Sequence, residues 1–171
     1  STEASIYRYF ENKHFLLLYL VSWYWSWVDY LIDIHTMNIN DASRKLKIII
    51  ATLVFASKEN PSIEWVNESV LHRIIISEGA KTYHTKTVDE ANREGLYLSY
   101  KSLVSKVASV ISEINPEFPY PHALASNLFE MSNNHIHFAQ HLPSLTNVEI
   151  KDEDFSEVEN MLCFFAFSLL R

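Results

Sequence analysis

His137 and His141 stand four residues apart, which puts two imidazoles on one helix face, with Asn134 one turn earlier. Zinc would need a third and usually a fourth ligand. No His-Glu-x-x-His motif supplies one, and Cys163 is the single cysteine, so the pair reads as a solvated polar face and no metal is expected. His135 differs, because it falls on an apolar stripe between Met131 and Phe138. It reads as a hydrogen-bonded interface histidine or as one of the few polar groups that line a pocket. Trp23, Trp27 and Tyr30 form an aromatic row, with Trp25 nearby. Such rings bury much area and carry an N–H or O–H handle, so the row suits core packing or the wall of a ligand cavity, which Tyr97 and Tyr100 could also face. No Ser-His-Asp order, paired carboxylates or reactive-cysteine setting is recognisable, so no catalytic residue is expected. Glu153, Asp154, Glu157 and Glu159 read as the solvated first turn of a helix.

The 171 residues suffice for one domain. Apolar residues make up 48% and aromatics 13%, ample for a core, while charged residues reach only 20%, which points to a further buried surface, an interface or a pocket. Only two glycines occur, Gly79 and Gly95. That shortage excludes a glycine-rich dinucleotide turn, a phosphate-binding loop and most hairpin-built sandwiches, and no cofactor is expected. The net charge of −7 argues, taken alone, against a surface that binds nucleic acid throughout. The lone cysteine favours a reducing compartment. The longest uncharged run, Phe15 to Val28, falls short of the roughly 20 residues that span a bilayer. The expectation is a soluble, cytoplasmic chain without a membrane partner.

Helical periodicity dominates, and the spacing predicts an all-α fold of seven or eight helices. From Lys13 to about Thr36, Leu16, Leu20, Trp23, Trp27, Tyr30 and Ile34 form one stripe, and Leu17, Val21, Tyr24, Val28 and Leu31 form another. The apolar arc is wide enough to be covered on more than one side. A second helix starts near Asn40 or Asp41 and runs to about Ser57. Pro61 to Gly79 reads as one or two shorter helices, with Gly79 as the residue just past the end. Lys81 to Lys86 reads as a polar connector. Thr87-Val-Asp-Glu90 is a capping-box pattern that opens a long helix carrying Leu96, Tyr100, Leu103, Val107, Ile111 and Ile114. Asn115-Pro116 stops it, and Pro121 starts the next. The last helix begins near Asp152.

Thr2 is a candidate helix cap, Ile6, Tyr7 and Phe10 offer an apolar side, and Glu11-Asn12 ends the segment where Lys13 begins the next helix. This stretch resembles the TetR family of bacterial transcriptional repressors. Their recognition helix ends in Ser/Thr-x-x-Ser/Thr-Leu/Ile-Tyr-x-His/Tyr-Phe-x-x-Lys, matched by Thr2, Ser5, Ile6, Tyr7, Tyr9, Phe10 and Lys13. Phe15-Leu16-Leu17 matches the start of the helix that links head to ligand domain. The motif covers about 17 residues, and beyond it the likeness is one of helix lengths and order. The resemblance implies a TetR-like helical bundle: residues 1–13 are the recognition helix and turn of a partial helix-turn-helix head, and 14–171 a C-terminal ligand-binding and dimerisation domain. It implies phosphate contacts for Thr2, Tyr7, Tyr9 and Lys13, and places Glu3, Ala4 and Arg8 near base edges, with Ser5 on the same DNA-facing helix. Arg8 suits a bidentate contact to guanine. Glu3 is acidic where it would approach DNA, and Tyr9 stands where histidine is frequent. Two helices are expected before Ser1, carrying most of the basic head, so the charge of −7 describes a body without it.

The expected function is a ligand-responsive DNA-binding regulator, a repressor released from a palindromic operator by a small apolar or aromatic ligand. Trp23, Trp27, Tyr30, Tyr97, Tyr100 and His135 are the expected ligand contacts. The expected homodimer uses the last two helices: Leu124, Leu128, Met131, His135, Phe138 and Leu142 on one, Phe155, Val158, Leu162, Phe165 and Leu169 on the other, with Phe164, Phe167 and Leu170 extending it. Such excess apolar surface usually marks an interface. The rival class is a helical homodimeric interaction protein that regulates through a protein partner, with no small-molecule site. A third class, an α-helical enzyme, lacks a convergent catalytic set.

Overall fold

The computed structural model describes Ser5, residues 8–56 and residues 67–171. Among the described residues it is all-helical, with seven α-helices, no named strand and one isolated bridge between Lys151 and Asp154. The helices are α1 (Lys13–Thr36), α2 (Ala42–Phe55), α3 (Glu68–Glu78), α4 (Val88–Arg93), α5 (Leu98–Ile114), α6 (Pro121–His141) and α7 (Ser156–Leu169). Short 3₁₀ turns follow α3 (Gly79–Thr82) and α6 (Pro143–Leu145).

The ends follow local chemistry. Asn12 caps α1 by accepting from the Phe15 amide at 3.1 Å, Asp41 caps α2 through Arg44 at 2.6 Å, and Asn67 caps α3 through Val70 at 2.9 Å. Pro121 occupies the first turn of α6. Four expectations change. Thr87 makes no side-chain cap, and the predicted long helix is interrupted: α4 is short, Gly95 turns the chain at φ +79°, and α5 restarts at Leu98. Gly79 is right-handed and continues α3 into the 3₁₀ turn instead of ending it in a left-handed cap. The last helix also starts later than expected, at Ser156, because Asp152 and Glu153 both take positive φ.

α2 and α5 form the centre. α1 packs on both, α6 lies along α5, and α7 closes the far side against α2 and α6. α3 spans α1 and α6, and the 3₁₀ turn after it rests on α1. The fully buried set, including Val21, Val28, Leu46, Ile50, Leu103, Ile111, Leu128 and Leu162, joins α1, α2, α5, α6 and α7 into one core. Each such side chain contributes about 1.5–3 kcal/mol on burial. α1 is long and apolar enough to cross a membrane by length and composition. Its Leu18, Val21, Tyr24, Trp25, Val28 and Ile32 are nevertheless core residues, and Lys106 of α5 binds its Asp29 at 2.7 Å and Asp33 at 2.5 Å. Burial opposes the charge on Lys106, but its bonds to the two carboxylates outweigh this and raise its pKa.

Candidate functional site

The inner face of α1 carries Val21, Tyr24, Trp25 and Val28. α3 brings Ile75 and Ile76, the following turn Gly79 and Ala80, α5 Tyr100, and α6 Phe129, Glu130, Ser132 and Asn133. Together with Leu53 and Tyr83 they surround an interior cavity of about 40 Å³. A water needs about 10–15 Å³ on this measure, so the space holds only a few non-hydrogen atoms as it stands.

Its polar end is organised around one carboxylate. Tyr83 and Tyr100 both donate their hydroxyls to Glu130 Oε1, the second at 3.0 Å. Trp25 stacks on Tyr100 with ring centres 4.2 Å apart, Tyr83 lies parallel to Tyr100 at 6.1 Å, and Phe129 meets it edge-on at 5.8 Å. Burial and then the Glu130 carboxylate hold the Tyr83 and Tyr100 hydroxyls far above the ordinary phenol range. They therefore stay protonated and act as donors. Ser132 is 2% exposed, and its Oγ lacks a hydrogen-bond partner among the described residues. Among the described residues, no Lys or Arg lines the cavity. The arrangement is suited to recognition, because fixed donors hold one carboxylate oxygen while aromatic faces shape the rest.

Of the expected ligand residues, Tyr100 is the one in this wall. Trp23, Trp27 and Tyr30 instead lie on the side of α1 away from the cavity, stacked in sequence at 6.2 and 5.8 Å; Tyr30 is 55% exposed, while Trp23 and Trp27 are half-buried and Trp23 packs on the edge of the core. The reason is rotational: the buried row centred on Val21, Val28 and Ile32 lies half a turn from them. Tyr97 is buried outside the cavity, and its hydroxyl donates to the Thr82 carbonyl at 2.6 Å, tying α5 to the wall-forming turn. His135 bonds Thr146 at 2.9 Å in a surface cleft between α6 and α7, and burial lowers its pKa. Sequence reasoning missed Tyr83, inside an apparent polar connector, and Glu130. A carboxylate between Phe129 and Met131 was the available signal.

The expected interface residues divide. Leu124, Leu128, Phe155, Val158 and Leu162 lie in the chain's own core, so they cannot meet a partner without unfolding it. Met131 and Phe138 are half-buried. Phe164, Phe165 and Leu169 face outward with 68%, 39% and 55% exposure. Phe167 is half-buried beneath the Lys47 ammonium, 5.5 Å from its ring centre, and Leu170 is buried.

Thr2, Glu3, Ala4 and Tyr7 lie outside the described residues. Ser5, Arg8, Tyr9 and Lys13 are all exposed. Phe10 packs on Tyr19 at 5.4 Å, joining this segment to α1. His137 and His141 have ring centres 4.8 Å apart in a second cleft, of about 600 Å³, shared with His72, Arg73, Asp152 and Glu153. Among the described residues, no group of three or more His, Cys, Asp and Glu is placed to hold a metal. No protein-family model, curated protein or solved structure matches this chain.

Proposed function

We propose that the chain is the regulatory body, with the end of a DNA-binding head, of a homodimeric ligand-responsive transcriptional regulator. It acts as a repressor released from a palindromic operator by a small molecule. The supporting observation is that one helix serves both ends. α1 begins at Lys13, the last residue of the recognition-like motif, and its Tyr24, Trp25 and Val28 wall the cavity. A ligand that prefers one setting of α1 changes the spacing of two heads on half-sites about a helical turn apart, by as much as its differential affinity allows. Binding of the protein with its complete head to palindromic duplexes tests this. Lys13→Ala weakens binding to all sequences and reduces the salt slope by about 1, whereas Arg8→Ala alters sequence preference. Absence of salt-dependent binding to any duplex, its own upstream region included, overturns the reading.

A specific observation favours a second reading, a helical homodimeric interaction protein. The outward aromatic row of α1 suits a protein partner, and a cavity of about 40 Å³ is far below an ordinary ligand site. Tryptophan fluorescence that stays flat against a broad panel of small molecules would select it.

A further inference from the structure

We propose that the cavity is a receptor for a small organic cation, a short protonated primary amine whose head sits on Glu130. This rests on reading the cavity as a ligand site and names the class of its ligand. It also departs from the sequence expectation of a wholly apolar ligand, because the helical stripes did not place Glu130 inside. Three observations converge. Among the described residues Glu130 brings the cavity's one formal charge, with no Lys or Arg in the lining, and its carboxylate has one oxygen committed to Tyr83 and Tyr100. Beside it the cavity is lined by the aromatic rings of Trp25, Tyr83, Tyr100 and Phe129, a residue type whose faces attract a cation. Ser132 contributes a buried hydroxyl oxygen with no hydrogen-bond partner among the described residues.

An ammonium carries three donors and no acceptor. Glu130, Ser132 and Asn133, all lining the cavity, are residue types that carry oxygen acceptors. The two tyrosines cannot compete for the charge, because their hydroxyls already donate to Glu130. An anionic ligand would instead meet the Glu130 carboxylate. The volume of about 40 Å³ limits the amine to a short chain of a few non-hydrogen atoms.

The test is calorimetric titration of the full chain at pH 7.5 with propylammonium, its neutral counterpart 1-propanol and the anion propionate. Propylammonium is expected to bind about ten-fold or more tightly than 1-propanol, and propionate not at all. Glu130→Gln should erase the preference for the cation. Should that variant fail to fold, the wild-type chain gives the same information with ethylammonium and a trifluorinated ethylamine, alike in shape but uncharged at this pH: the charged one is expected to bind and the neutral one to lose at least most of that affinity. Equal affinity for charged and neutral members of either pair overturns the proposal, as does absence of amine binding or a cation preference that survives Glu130→Gln. Operator release separates this from the regulator reading. Amine binding without any effect on DNA leaves the cation site standing and removes the regulator. Release by neutral apolar compounds but not amines does the reverse.

Discussion

His72 is a basic side chain held away from water. It is 2% exposed, its ring lies between Tyr24 at 6.0 Å and Phe155 at 6.1 Å, and its Nε2 has no partner among the described residues. Burial lowers its pKa from 6.5 to about 4. The unfolded chain therefore takes up this proton first. Stability from this residue is complete above about pH 6.5 and is lost as pH falls toward 4, reaching roughly 3 kcal/mol at the lower end. His72→Phe keeps the ring contacts and removes that slope; urea midpoints compared at pH 7 and pH 5 measure it, and an unchanged acid sensitivity contradicts the assignment. The aromatic residues of α1 give a second contrast. Trp25→Ala removes the ring stacked on Tyr100 and should alter the ligand response strongly, whereas Trp23→Ala, on the outward side, should leave it nearly intact. Fluorescence titration of both variants with one ligand decides, and equal losses would count against this cavity. Glu130 shows why the sequence hid the site: its neighbours look like a helix core, and only the approach of Tyr83 from another segment reveals its partner.

At the scale of elements, the joint between α4 and α5 carries the largest departure from the periodic reading. The apolar stripe through Leu96, Leu103 and Val107 continues across it, so periodicity alone cannot see the break. The glycine can, because only Gly takes φ +79° without strain. A Cβ there would also meet Leu98 Cδ1 at 3.1 Å. Gly95→Ala should cost about 1–2 kcal/mol, read as a lower thermal midpoint. The effect should reach the N-terminal segment, since Gly95, Leu96 and Ser99 line a cleft of about 520 Å³ with Tyr9, Phe10 and Phe15, and Ser22 of α1 donates to the Leu96 carbonyl at 3.3 Å. A variant as stable as the parent would show that this turn is not constrained. Three other ends were legible for local reasons: Asn12, Asp41 and Pro121 act within one turn of themselves.

For the whole molecule, the outward face of α7 is where association should occur. Phe164, Phe165 and Leu169 are too exposed to be part of the chain's own core, and a two-fold axis there would bury them against their copies. Phe165→Glu is expected to yield a folded monomer, while Leu162→Glu, at a core position on the same helix, should unfold the chain. Sedimentation with circular dichroism separates the two outcomes. A wild-type chain that sediments as a monomer at micromolar concentration removes this interface and the two-headed switch with it.

The all-helical class, the extents of α1 and α2 and the start of α6 were determined by the sequence itself, because periodicity, caps and proline act over a few neighbouring residues. Which side of each helix faces inward was not. α1 has apolar residues nearly all round, so its pattern allows either the Trp23–Trp27–Tyr30 side or the Val21–Val28–Ile32 side to be buried. The choice fell to the packing of α2, α3 and α5 on the second side, with Lys106 holding Asp29 and Asp33 in register. The same ambiguity on α7 sent Val158 and Leu162 inward and Phe164 and Phe165 outward. The cavity belongs wholly to tertiary structure: Trp25, Tyr83, Tyr100 and Glu130 come from four separate segments, and no local rule links residues that meet only when those segments pack.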